Sequence, residues 1–98
     1  MEDAEIRSGQ SQDNVIFIGR KPTMSYVLAC MTVFQRGTSE VTLKARGRAI
    51  NTAVDVAEIM RNRFMTDLKI KGIEIGTDVV PRPEGQSNVS TIEITLAK

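Results

Sequence analysis

The segment Lys44-Ala45-Arg46-Gly47-Arg48-Ala49-Ile50 marks the point where a strand pattern changes into a helix pattern. Up to Arg46, cationic and apolar residues alternate, which is typical of a strand with one wet face and one buried face. Gly47 interrupts this alternation, and the apolar spacing after it is helical. A helix that begins here presents unpaired backbone N–H groups beside two guanidinium groups, and both attract anions. The segment therefore predicts a phosphate-binding corner, although a solvated strand end with a turn glycine would carry the same charges.

A second basic pair, Arg20-Lys21, stands in the same strand-to-helix position earlier in the chain. The β-branched run at residues 15–18 predicts a strand that is buried on both faces. Pro22 suits the first turn of a helix, where its missing N–H costs nothing, and Gly37 suits the end of one. We therefore expect a first helix over residues 22–36, followed by a strand over 40–46 and a second helix over 49–65.

Both helices carry more apolar residues than a single stripe explains. In the first helix the predicted core face is Met24, Val27, Leu28, Met31 and Phe34, and a second apolar edge is formed by Tyr26, Cys30 and Val33. In the second helix the predicted core face is Ile50, Ala53, Ala57, Met60 and Phe64, and Val56 and Ile59 lie outside it. This surplus is explained either by a wide core or by a homodimer interface, and in so short a chain it favours the homodimer.

The C-terminal third predicts an antiparallel pair of strands with a projecting turn. Alternation at residues 68–75 changes phase at Gly72, which indicates a β-bulge, and residues 91–96 alternate without interruption. Residues 81–86 contain two prolines and a glycine, so the strands beside them form a protruding hairpin arm that carries Arg82. The predicted class is α+β: a two-layer sandwich in the order β-α-β-α-β-β, with two helices on a four-stranded mixed sheet.

The charge is concentrated in the middle of the chain. The net charge of the 98 residues is only +1. Residues 1–13 carry −3, residues 14–63 carry +5 and residues 64–98 carry −1. We interpret residues 1–13 as an acidic flexible tail and residues 14–98 as one domain with a basic patch, the electrostatic signature of a polyanion-binding surface.

The sequence offers no catalytic or metal-binding constellation. It contains no histidine, one cysteine and no glycine-rich phosphate loop, so we expect no metal, no cofactor and no enzyme activity. Cys30 is interpreted as a small core residue rather than a nucleophile, and alone it cannot form an intrachain disulfide. The longest apolar run, residues 27–31, is too short to span a membrane, and the acidic N-terminus does not resemble a secretory signal. A cytoplasmic location is therefore expected.

Taken together, these segments resemble the Alba family of small dimeric nucleic-acid-binding proteins of archaeal chromatin. The resemblance extends over residues 14–98. It rests on Ile18-Gly19-Arg20-Lys21-Pro22, Tyr26-Val27-Leu28-Ala29, residues 44–50, Ala53-Val54-Asp55, Arg61-Asn62-Arg63-Phe64 and Ser90-Thr91-Ile92-Glu93-Ile94.

The resemblance implies an Alba-like fold and a homodimer that binds double-stranded DNA without sequence specificity and coats, compacts or bridges it in the nucleoid. It implies a basic body on the duplex backbone and hairpin arms along the minor groove. The implied nucleic-acid-binding residues are Arg20, Lys21, Tyr26, Lys44, Arg46, Gly47, Arg48, Asn51 and Arg82. Phe64 matches an aromatic residue of dimer–dimer packing on DNA; a core role is the alternative.

Two departures from the family pattern change these expectations. Arg20 stands where the family commonly has an acetylated lysine, which leaves Lys21 as the only target of a lysine acetylase or deacetylase in this pair. The arm carries one arginine beside Glu84, so more of the binding should fall to the central patch.

Two other interpretations of the same residues remain. The first is an RNA-binding protein or ribonucleoprotein subunit, because a shallow basic surface does not choose between A-form and B-form duplexes. The second is a protein–protein adaptor that uses the apolar helix edges and the arm. The adaptor interpretation predicts that replacing Arg46 and Arg48 by glutamate leaves the main interaction intact.

Overall fold

A computed structural model of the chain describes residues 14–98, so the predicted tail at 1–13 lies outside the described residues. Two helices pack on a four-stranded mixed sheet, which confirms the predicted α+β class and the order β-α-β-α-β-β. The elements are β1 (Val15–Phe17), α1 (Thr23–Gln35), β2 (Glu40–Arg46), α2 (Ala49–Ile59), a π-helical turn (Met60–Phe64), β3 (Lys69–Arg82) and β4 (Gly85–Ala97).

The sheet has the strand order β1-β2-β4-β3. β1 runs parallel to β2, and Ile18 continues their ladder by donating its N–H to the Lys44 carbonyl at 2.8 Å. The other two pairs, β2 with β4 and β3 with β4, are antiparallel. Because β1 and β2 are parallel neighbours, the loops that follow them leave the sheet at the same edge.

The hairpin of β3 and β4 extends far beyond the other strands. β2 pairs with β4 only from Ala97 to Thr91, whereas β3 pairs with β4 as far as Gly85. Residues 77–90 therefore project as the predicted hairpin, here called the arm, and each limb is about 20 Å long at ~3.3 Å per residue. The ladder shifts register between Ile70 and Gly72, which confirms a β-bulge next to Gly72.

The core lies between the helices and one face of the sheet, but α1 is rotated from the predicted orientation. Tyr26, Cys30 and Val33 are buried, whereas Met24 is 45% exposed and Leu28 58% exposed. The predicted core face of α1 was therefore wrong in part, and the residues assigned to a surplus edge form the core. Apolar residues cover most of this helix, so helical spacing alone did not identify the buried side.

The end of α2 differs from the prediction for a similar reason. Val56 is fully buried, whereas Phe64 is 43% exposed and does not belong to the core. The last turn is π-helical, and the Met65 N–H donates to the Met60 carbonyl at 2.7 Å. A wider turn rotates the side chains that follow it away from the α-helical stripe, so a projection with 3.6 residues per turn placed Phe64 on the wrong side.

Cys30 has the protonated thiol expected of a core residue. Its side chain is fully buried, and burial raises the pKa of the Cys30 thiol to about 12. No helix within residues 14–98 is long and apolar enough to cross a membrane. In the same part of the chain, no three acidic or cysteine side chains are grouped as metal ligands.

Candidate nucleic-acid interface

The first basic corner, Gly19-Arg20-Lys21, is shaped by the hydroxyl of Tyr26. This oxygen accepts hydrogen bonds from the backbone N–H groups of Gly19 and Lys21, both at 2.8 Å. The Tyr26 side chain is fully buried, while Arg20 is exposed. Direct contact between Tyr26 and nucleic acid, expected from the sequence, is therefore corrected: Tyr26 holds the loop that presents Arg20 and Lys21.

The second basic corner, Arg46-Gly47-Arg48, joins β2 to α2. Gly47 adopts a φ of +58°, a left-handed conformation that other residues adopt only with strain. Its N–H donates to the Ser90 carbonyl at 2.9 Å, which ties the corner to the base of the arm. Its carbonyl accepts from Ile50 at 3.2 Å and so starts the first turn of α2. Arg46 and Arg48 are both exposed on either side of this glycine.

The two basic corners lie at one edge of the sheet. Phe17 pairs with Lys44 in the parallel ladder, so Arg20, which follows β1, and Arg46, which ends β2, lie at the carboxyl ends of adjacent strands. Neighbouring strands are about 4.8 Å apart, and the side chains of the two corners can reach the same polyanion. The two basic strand-to-helix turns that the sequence contains are therefore also neighbours in the structure.

Two of the cations face acidic partners on the open face of the sheet, the face opposite the helices. Lys44 Nζ lies 3.7 Å from a Glu93 carboxylate oxygen, and Arg46 lies 3.7 Å from Asp78. Both members of the Arg46–Asp78 pair are exposed, so this contact is worth little and a phosphate can replace the carboxylate. Within residues 14–98, no ion pair involves Arg20 or Arg48.

The remaining predicted residues stand at different distances from this edge. Asn51 is exposed in the first turn of α2, next to the second corner. Arg82 lies at the far end of the arm, where its Nε donates to the Ser87 hydroxyl at 3.0 Å. Phe64 follows α2, at the end of that helix away from the basic corners. The structure thus groups Arg20, Lys21, Lys44, Arg46, Gly47, Arg48 and Asn51, and it separates Arg82 and Phe64 from them.

Sequence reasoning missed the acidic partners of the basic residues. Glu93 is opposite Lys44 in the β2–β4 register, and Asp78 reaches Arg46 from β3. Both carboxylates lower the positive potential of the open face. The alternation of the last strand could have shown that Glu93 faces away from the core, but not which cation it meets.

Comparison with known proteins shows that the chain is similar to one protein family over most of its length. The sequence model of the Alba family matches residues 14–77. The chain is 55% identical over 86 residues to the DNA/RNA-binding protein Alba 1 of Archaeoglobus fulgidus, with 88% of this chain and 97% of that protein covered. It is 54% identical over 88 residues to the DNA/RNA-binding protein Alba of Methanocella arvoryzae, with 89% and 92% covered.

A solved structure gives the same result for the fold. Alba from Thermoplasma volcanium superimposes with a TM-score of 0.83 at 49% sequence identity. The match covers 87% of this chain and 100% of that one. The likeness therefore extends over most of the architecture.

Proposed function

Because the chain belongs to the Alba family, we propose that it binds nucleic acid and that its principal ligand is the backbone of double-stranded DNA. The two relatives described above are named as DNA/RNA-binding proteins. The family is one of nucleic-acid-binding proteins rather than enzymes, which agrees with the expectation that this chain is not an enzyme.

The observation that carries the proposal is the meeting of two basic corners at one edge of the sheet. Arg20, Lys21, Arg46 and Arg48 project from adjacent loops, and Lys44 adds a fifth cation on β2. A cluster of cations at the surface favours a ligand that supplies many phosphates at regular spacing. Nothing in residues 14–98 presents a helix face of base-reading side chains, so phosphate contacts dominate and sequence preference is low.

We propose that two chains form a homodimer through the uncovered part of β3. Ile73 and Ile75 are opposite Ile94 and Ile92, so they lie on the helix-bearing face of the sheet. The helices pack mainly on β1, β2 and β4, and on β3 Ile73 is 54% and Ile75 82% exposed. Val54 of α2 adds exposed apolar surface on the same side. A second chain placed there would bury these side chains and double the number of cations that one duplex meets.

Several finer features follow as parts of the same proposal. Dimers of this kind coat, compact or bridge DNA in the nucleoid, and their arms follow the minor groove with Arg82 near the tip. Exposed Phe64 packs between neighbouring dimers on DNA. Lys21 is the residue of the first corner that a lysine acetylase could neutralise and a deacetylase restore, and the loss of its charge weakens phosphate binding.

A salt-titrated binding isotherm tests the proposal. A dimer that neutralises roughly six to ten phosphates predicts a log–log slope of affinity against salt of about −5 to −9 on duplex DNA. Two unrelated duplexes of equal length should bind with similar affinity. A salt-independent affinity, or strong discrimination between the two duplexes, contradicts a phosphate-dominated mode.

RNA is the second candidate ligand, because the names of both relatives mention RNA beside DNA. The basic edge contacts backbone rather than bases, and so it accommodates an A-form duplex as well. Competition between DNA and RNA duplexes of the same sequence at equal salt separates the candidates. A clear preference for the RNA duplex would make RNA the principal ligand.

A further inference from the structure

The N-terminal segment, residues 1–13, carries a charge opposite to that of the basic corners. Its net charge is −3, and three of its carboxylates stand close together in the sequence, at Glu2, Asp3 and Glu5. The Alba family model begins at residue 14, so the segment lies outside the part of the chain that matches the model. Its charge is therefore a property of this chain that the family match does not explain.

The segment joins the rest of the chain at the edge of the sheet opposite the basic corners. The Asn14 side-chain amide donates to the Glu40 carbonyl at 3.1 Å, at the start of β2, whereas β2 ends at Arg46 in the second corner. β1 is an edge strand, and within residues 14–98 no strand pairs with its outer side. A chain that turns back at Asn14 can therefore run beside β1 toward Arg20.

The length of the segment matches the distance between its attachment point and the first corner. Arg20 is five residues beyond Val15, which is at most about 17 Å at ~3.3 Å per residue. Residues 6–13 separate the carboxylates from Asn14 and include two serines, a glycine and two glutamines, a composition typical of linkers. A linker of this length has a root-mean-square end-to-end distance of about 14–17 Å. Because a tethered group reaches its highest effective concentration when these two lengths agree, the carboxylates are within reach of the first corner.

The cations best suited to receive these carboxylates are the arginines of the corners that have no ion pair. Arg20 and Arg48 are exposed, and no ion pair within residues 14–98 involves either of them. At the edge where the segment begins, by contrast, Lys71 is already paired with Glu40. A guanidinium group without an acidic partner also offers a carboxylate two parallel hydrogen bonds, which an ammonium group cannot.

We infer that the carboxylates of Glu2, Asp3 and Glu5 pair with Arg20 and Arg48 in the free protein and compete there with nucleic acid. The segment is an internal competitor that every ligand of the basic corners has to displace. A duplex supplies many more anionic groups than the segment and displaces it, whereas a ligand with one or two phosphates does not. The inference rests on the proposed nucleic-acid function for the competition, while the contact itself forms without any ligand.

A spin label on the segment detects the contact in the absence of nucleic acid. Ala4→Cys places a neutral nitroxide among the three carboxylates, and Cys30 stays unlabelled because its thiol is buried and protonated. The nitroxide broadens the NMR signals of backbone amides that lie near it. We expect stronger broadening at Gly19 and Gly47, in the corners, than at Gly37, which lies at the opposite edge. Salt at about 0.5 M should remove this difference, because it screens exposed charges.

A neutral-tail variant tests the effect of the segment on binding. It carries the substitutions Glu2→Gln, Asp3→Asn and Glu5→Gln. The matched control removes the same number of negative charges from exposed positions of α2 and the turn after it, by Asp55→Asn, Glu58→Gln and Asp67→Asn. At about 50 mM salt the neutral-tail variant should bind duplex DNA about 3- to 30-fold more tightly than the wild-type chain, as the loss of up to three exposed ion pairs predicts. The control should gain about twofold or less.

The outcomes separate this inference from the proposed function. Equal broadening at the two edges, or unchanged broadening in the spin-labelled neutral-tail variant, overturns the contact and leaves duplex binding standing. Equal gains in affinity by the neutral-tail and control variants would be an effect of net charge and overturn the competition. Broadening at the corners of a chain that binds no duplex supports the contact and overturns the proposed function.

Discussion

At the scale of single residues, the hydroxyl of Tyr26 controls a loop that carries two cations. It is the hydrogen-bond acceptor for two backbone N–H groups, those of Gly19 and Lys21, and its ring is buried beneath them. No other residue type of similar size combines an apolar ring with an acceptor at its tip. Tyr26 therefore fixes the shape of the loop that carries Arg20 and Lys21.

We predict that Tyr26→Phe destabilises the fold and also weakens DNA binding. The substitution leaves the two N–H groups without their acceptor, which should cost about 1–3 kcal/mol of unfolding free energy. Urea denaturation measures the stability, and a binding isotherm at fixed salt measures the affinity. Unchanged stability together with unchanged affinity would show that the loop keeps its shape without the hydroxyl.

Arg48 is an exposed cation of the second corner, and no ion pair within residues 14–98 involves it. We predict that Arg48→Ala weakens binding to all duplexes alike and reduces the magnitude of the salt slope by about one per protomer. Arg36, exposed at the end of α1 and away from both corners, provides the matched control. Equal losses from Arg36→Ala and Arg48→Ala would indicate diffuse charge attraction rather than a defined surface.

Cys30 should be chemically inert in the folded protein. With its pKa raised to about 12 by burial, the thiol is almost entirely protonated at pH 8, and the thiolate is the reactive form. We predict no alkylation by iodoacetamide at pH 8 in native buffer and rapid alkylation in urea, both followed by mass spectrometry. Rapid modification of the native protein would mean that α1 opens readily.

At the scale of elements, the arm is a long hairpin with little net charge near its tip. Pro81 and Pro83 flank Arg82, and Glu84 follows in the turn. The Arg82 Nε already donates to Ser87 within the arm. Both features should weaken the contact that Arg82 makes with phosphate in the proposed complex.

We predict that Arg82→Ala reduces duplex affinity by about twofold or less, which is less than the loss from Arg48→Ala. Both substitutions remove one exposed arginine, so a comparison at the same salt concentration is direct. A larger loss of affinity from Arg82→Ala than from Arg48→Ala would indicate that the main phosphate contact lies on the arm rather than on the body of the protein.

In both helices, the face that is buried depends on the elements that pack against the helix. α1 is apolar on most sides, so several faces could have been buried, and the sheet selected the face of Tyr26, Cys30 and Val33. In α2 the π-helical turn moved Phe64 out of the core. That exposed aromatic residue is available for contact between dimers, which remains a prediction.

At the scale of the whole molecule, the uncovered isoleucines of β3 point to a second chain. We predict that Ile75→Glu prevents dimerisation, because a charge would be buried in an apolar interface. Sedimentation equilibrium should report a monomer, and DNA affinity should fall with the loss of half of the cations. Glu74→Gln, on the opposite face of the same strand, is the control and should remain dimeric. A dimeric Ile75→Glu variant would place the interface elsewhere.

The sequence by itself determined the order of the elements, the two basic corners and the projecting hairpin. Alternation, helical spacing and turn residues such as Gly47 and Pro81 are local signals, so each can be interpreted within a few residues. The strand at residues 40–46 matches its predicted bounds. The resemblance to a family added the expectation of nucleic-acid binding, which no single local pattern contains.

Only the tertiary structure decided which residues share a surface. The two basic corners are neighbours because β1 and β2 pair in parallel. Lys44 is opposite Glu93 in the β2–β4 register, and Tyr26 is buried beneath the loop to which its hydroxyl is hydrogen-bonded. The tertiary structure also opened a groove between Phe17 and Thr91, which are 74 positions apart in the sequence. Strand order, register and helix rotation depend on contacts between distant segments, and those contacts are fixed by packing of the whole chain rather than by local spacing.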